Sequence, residues 1–86
     1  MSTPLTTADL MQQLEQAMVQ AAQPHHAGRT LVTVDVHLSC MRPAHGPLVA
    51  SAQVVGGGKT LRFCEAQLHD SAGAVVAQAL GTLRAV

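Results

Sequence analysis

Glu15 is the residue of this 86-residue chain best placed to do chemistry. It stands at the margin of an apolar stripe, Leu10, Met11, Leu14, Ala17, Met18, Ala21 and Ala22, which recurs at the 3.6-residue period of a helix. A carboxylate between an apolar face and water can align a water molecule as a general base, or attack as a nucleophile. The plain alternative is a solvated helix carboxylate beside Gln12 and Gln16. The run Gly56-Gly57-Gly58-Lys59 is a second candidate. Successive backbone N–H groups in a glycine turn form a concavity for an anion, and Lys59 adds charge. The same run also makes an ordinary hairpin turn. Arg42 suits either an anion contact or an ion pair with a strand carboxylate.

Other reactive residue types lack the spacing their chemistry needs. His25 and His26 are adjacent, and adjacent residues seldom enter one metal's inner shell. His37, His45 and His69 fall on different expected elements. No His/Cys spacing resembles a zinc site, so neither a metal nor another cofactor is expected. His37 is expected to be a hydrogen-bonded histidine at the surface or at a subunit seam. Asp35 and Glu65 are expected to pair with Arg29, Arg62 or Arg84. Ser39, Ser51 and Ser71 have no nucleophile-elbow context. Cys40 and Cys64 have no CxxC spacing and lie in expected strands, where reduced thiols behave as small core hydrophobes.

These side chains must be positioned by a helix and a sheet. Thr6-Thr7-Ala8-Asp9 has the shape of a capping box, with Asp in place of Glu, and opens a helix over about 8–23. Gln12, Gln13, Gln16 and Gln20 face away from its stripe, and Pro24 ends it. Met1 to Leu5 is expected to be a frayed leader. From Val32 to Cys40 apolar and polar residues alternate strictly. Val32, Val34, Val36, Leu38 and Cys40 should therefore share one face, and Thr33, Asp35, His37 and Ser39 the other. Strands are expected at about 29–41, 48–55, 60–69 and 74–84. They are joined by the Ala44–Pro47 turn, the glycine run and a type I turn at Asp70–Gly73. Val75, Ala77, Ala79 and Gly81 form a row of small residues that lets a helix approach the last strand closely. The class is α+β: one helix on a four-stranded antiparallel sheet, in a single domain over 1–86.

Composition narrows the partners. The formal net charge is zero and the five Lys and Arg are scattered, which argues against nucleic acid and anionic membranes. No run of ~18 apolar residues predicts a membrane span, and no signal-peptide pattern opens the chain. A cytoplasmic protein is the expectation. The chain is 48% hydrophobic with one Phe and no Trp or Tyr, so its core has few large anchors. A domain of this size buries only roughly 60–65% of its unfolded surface. Partner subunits would cover the remainder.

The segments VTVDVHLSCMRPAHGPLVASAQVV, GGGK and FCEAQLHDSAGAVVAQALGTL closely resemble the C-terminal part of the hotdog-fold acyl-CoA thioesterases of the phenylacetate-pathway type. Thr33-Val34-Asp35, Met41-Arg42-Pro43-Ala44, Glu65-Ala66, Asp70 with Gly73, and Ala77-Gln78-Ala79 before Gly81-Thr82 carry the resemblance. It covers roughly residues 29–84 and, more loosely, the helix. The resemblance implies a hotdog shortened by two N-terminal strands. It also implies that the first strand pairs with the last, followed by the two middle strands. The first strand's free edge would then join a second copy in a homodimer or higher homo-oligomer. A catalytic helix carboxylate of the family falls at Glu15. The family's His-Gly-Gly turn falls near Thr6-Thr7-Ala8, where no residue matches.

The function implied is hydrolysis of a small or aryl acyl-CoA thioester at a subunit interface. Glu15 would be catalytic, and Arg42, Gly57, Gly58 and Lys59 would bind the coenzyme A end. The alternative is a non-catalytic hotdog-derived module that binds acyl groups or CoA, or that serves oligomerisation.

Overall fold

The computed structural model describes residues 3–86. Helix α1 spans Thr7–Ala22, and a single 3-10 turn follows over Gln23–His26. Four strands come next: β1 (Leu31–Cys40), β2 (Val49–Gly57), β3 (Leu61–His69) and β4 (Val75–Ala85). The sheet is antiparallel in the order β1-β4-β3-β2, as the resemblance implies.

The capping box forms. The Asp9 amide donates to Thr6 Oγ1 at 3.1 Å, and the Thr6 amide donates to the Asp9 carboxylate at 2.9 Å. These bonds satisfy two donors that a helix start leaves open. They also hold the Asp9 carboxyl below its ordinary pKa, the Thr6 backbone bond contributing most. Pro24 diverts the chain into the 3-10 turn, where the Gln23 side chain donates to the carbonyls of His26 and Arg29.

Leu10, Leu14, Met18 and Ala22 of α1 are buried against Cys64, Ala66, Leu68, Ala77, Ala79 and Leu83. The small residues of β4 bring the helix close, as their row predicts. A Cβ built on Gly81 would stand 2.8 Å from Met18 Sδ, so only the bare backbone leaves room for that side chain. The expected leader is not frayed at its inner end. The Leu5 amide donates to the Ala44 carbonyl at 2.8 Å, and Leu5 packs on the core. Residues 1–2 of that leader lie outside the described residues.

The alternation expected along β1 breaks at a β-bulge. Thr33 pairs with Leu83 and Asp35 with Thr82, so Val34 has no partner across the ladder. Beyond the bulge Val36 and Leu38 face the helix, as the parity predicts. Before it the parity reverses, since each extra residue in a strand turns its side chains over. Leu31 and Thr33 point to the helix, while Val32 and Val34 are 41% and 55% exposed. A second bulge at Val55 carries β2 on to Gly57, two residues past the expected end, and the turn falls at 58–60. Gly57 takes φ +131°, and a Cβ there would meet the Leu61 carbonyl oxygen at 2.2 Å.

Candidate active site

The reversal at Val34 places Thr33 in front of α1, and Glu15 meets it there. Thr33 Oγ1 donates to Glu15 Oε2 at 2.6 Å in a half-buried position. A short bond from hydroxyl to carboxylate fixes one oxygen and leaves the other to accept from water or substrate. Thr33 lies on β1, an end strand of the sheet, so the pair stands beside an open edge. Sequence reasoning missed Thr33, because strict alternation assigned it to the opposite face. The only available signal was its β-branched hydroxyl in the Thr33-Val34-Asp35 piece, and nothing in the spacing announced a bulge.

The candidate anion ligands divide between the two ends of the sheet. Thr33, Leu83, Arg62 and Gly57 lie on one rung running across all four strands. The turn of Gly58 and Lys59 follows directly, so Lys59 projects, exposed, from the same end as the Glu15–Thr33 pair. Arg42 follows the far end of β1. It is exposed, at the rim of a hollow of about 400 Å³ between that end and the start of α1. One chain therefore brings Glu15, Thr33, Gly57, Gly58 and Lys59 to one end, with Arg42 at the other.

Several expected pairings take other forms. Arg62 Nε donates to Nε2 of His26 at 3.0 Å, and Arg29 donates to the Ala85 carbonyl. Glu65 accepts from the Gln53 side chain, and Asp35 is exposed without an ion pair among the described residues. Arg62, Arg29 and Glu65 thus find partners other than the ones expected. His26 is only 5% exposed, and burial first, then Arg62, Arg29 and His25, push its pKa down. Cys64 is a core thiol whose pKa is raised by burial. Cys40 is not in the core: it is exposed, because the end of β1 overruns the start of α1 and lines the hollow there. Among the described residues no group of three or more His, Cys, Asp or Glu is gathered to hold a metal ion. No described helix is long and apolar enough to cross a membrane.

One amphipathic helix lying on an antiparallel sheet of this order, with a carboxylate turned toward the outermost strand, defines a shortened hotdog domain. The family model of the thioesterase superfamily matches residues 8–77, and the chain belongs to that superfamily. Solved structures agree on the fold. A Bacillus halodurans protein solved with CoA superposes with a TM-score of 0.92 at 23% identity, over 98% of this chain and 61% of that one. Zebrafish thioesterase superfamily member 2 gives 0.84 at 25% identity, over 94% of this chain and 61% of its own. The PaaI protein of the Escherichia coli phenylacetic acid degradation operon gives 0.83 at 20% identity, over 96% and 60%. The chain thus spans about 60% of the length of these relatives. Among curated proteins no match is found.

Proposed function

We propose that this protein hydrolyses a small or aryl acyl-CoA thioester, with Glu15 as the catalytic carboxylate and Thr33 as the hydroxyl that orients it. The observation that carries the reading is the 2.6 Å bond between them at the open edge of β1. With one oxygen fixed by Thr33, the other faces the reacting atoms. It takes a proton from water as water attacks the thioester carbonyl, or it attacks that carbonyl itself. The thiolate of coenzyme A leaves in either course.

The substrate end of the reading rests on charge and topology. Gly57, Gly58 and Lys59 stand at the Glu15 end; the Gly58 amide is taken by the Leu61 carbonyl at 2.9 Å, so it is the exposed ammonium of Lys59 that suits a phosphate there. The relative solved with CoA supports that ligand class. Antiparallel pairing of two β1 edges about a two-fold axis sets the start of one strand against the end of the other. Arg42 of the partner subunit then approaches the Glu15 end of the first copy, and each homodimer completes two sites. Both cysteines are free, which suits a reducing, cytoplasmic setting.

Glu15→Gln should lower thioester hydrolysis by about 100-fold or more, with helix content and subunit mass unchanged. Unchanged turnover ends the assignment. Arg42→Ala should raise KM, and mixing it with Glu15→Gln tests the shared site. An equimolar hybrid population should recover about a quarter of wild-type sites, because only mixed dimers contain an intact one. No recovery above either parent places Arg42 outside the site.

A second reading has one observation in its favour. The family's His-Gly-Gly turn is replaced here by Thr6-Thr7-Ala8, and the Thr6 amide is already bonded to Asp9. That amide is closed to a thioester oxygen. A protein that binds CoA yet leaves a panel of acyl thioesters intact is a non-catalytic module.

A further inference from the structure

The five Lys and Arg are scattered along the sequence, but the fold gathers four of them. Arg29 stands just before β1 and Lys59 just before β3, Arg62 is the second residue of β3, and Arg84 lies on the rung of Val32 and Leu61. All four occupy the end of the sheet that carries Glu15 and Thr33, with Arg42 at the other. The carboxylates of that end do not neutralise them. Glu15 accepts from Thr33, and Asp35 stands on the opposite face of the sheet from Arg62.

Arg29 and Arg62 share one corner. Arg62 Nε donates to His26 Nε2 at 3.0 Å, and the Arg29 amide donates to the His26 carbonyl at 3.0 Å. The Arg29 guanidinium reaches the Ala85 carbonyl at 3.2 Å. The Gln23 side chain holds the carbonyls of His26 and Arg29, so the link that carries Arg29 is tied down. Each guanidinium thus spends one of its several donors, and spends it on a neutral acceptor. Neither makes an ion pair among the described residues. Both charges reach His26: after burial, Arg62 and then Arg29 lower its pKa. Arg62 is half-buried beside that imidazole, so its charge is partly withdrawn from water with no counter-ion in return.

We infer that Arg29 and Arg62 form a site for a phosphate monoester. Charge selects the ligand. Two guanidinia without carboxylates call for about two negative charges, which a phosphate monoester carries near neutral pH and a diester does not. Its terminal oxygens also match the forked donors that both side chains leave unused. The source of the monoester rests on the reading of CoA as ligand. CoA carries singly charged phosphoryls in its pyrophosphate bridge and one monoester on its ribose. Lys59, a single ammonium, suits the bridge, and the arginine pair suits the monoester.

Calorimetric titration with CoA and with dephospho-CoA, which lacks only that monoester, tests the site on the whole chain. The wild type should bind CoA about ten times more tightly or better. Arg62→Gln keeps a donor for His26 and removes the charge, while Arg29→Gln changes an exposed side chain. Each should narrow the gap to about threefold or less and leave dephospho-CoA binding as it was. The His26 ring signal gives a second readout. CoA should raise its pKa, because a dianion offsets the two guanidinia, and dephospho-CoA should not. Equal affinity for the two ligands overturns the inference, as does a gap that both variants preserve or a His26 signal blind to CoA. If neither ligand binds, the CoA reading fails and adenosine monophosphate decides the site by itself. Binding that Arg62→Gln abolishes upholds the monoester site, and no binding overturns it.

Discussion

A single hydroxyl determines how Glu15 is held. If Thr33 orients the carboxylate, Thr33→Val keeps the side-chain volume and loses the bond. It should lower kcat roughly 10–100-fold with little change in KM. Thr33→Ser should retain most of the rate, and steady-state kinetics on both variants decides. His26 makes a different kind of prediction. Its pKa in the folded protein lies below the unfolded value of 6.5, because burial and Arg62 disfavour the imidazolium. The folded state therefore binds fewer protons than the unfolded one between those two values. Stability is fully present above about pH 6.5 and is lost as pH falls toward the folded pKa. Urea midpoints measured from neutral to mildly acidic pH should decline, and His26→Asn should flatten the decline. The sequence put His26 in a connecting link. Its burial depends on Arg62, 36 residues away, and no local pattern encodes such a partner.

At the scale of elements, two glycines should behave differently. Gly57→Ala forces a side chain against the Leu61 carbonyl at a backbone angle that other residues avoid. It should cost about 2–3 kcal/mol. Gly81→Ala meets the flexible end of Met18 and touches the Asp35 carbonyl oxygen at 3.4 Å, at a backbone angle any residue adopts, and should cost about 1 kcal/mol. Chemical denaturation of both variants orders them. The glycine run, the capping box and the helix stripe were all legible in the sequence, because each is local and governed by spacing. The strand order was legible through the family resemblance. The bulges at Val34 and Val55 were not legible, because a strand shows its register only against its neighbour. The same blindness hid Thr33, and it left Cys40 assigned to a core that the strand outruns.

For the whole molecule, function and association are one question. If the catalytic pocket borrows Arg42 from a partner subunit, activity per chain should fall on dilution, in parallel with the loss of dimer. A specific activity that stays constant while the mass halves would locate the pocket inside one chain. Composition hinted at such dependence, since a thin core of Ala, Val and Leu covers little. Which faces remain uncovered emerged only once four strands were laid side by side.

The unpaired Val34 is a spare residue in the first part of β1. Removing it would close the ladder without turning anything over, since Thr33 would still stand opposite Leu83 and Asp35 opposite Thr82. The threonine would keep its place before Glu15, and any hydrolysis that depends on the pair should survive the deletion. Descendants of this gene could therefore shed that codon and still present the same hydroxyl to the helix.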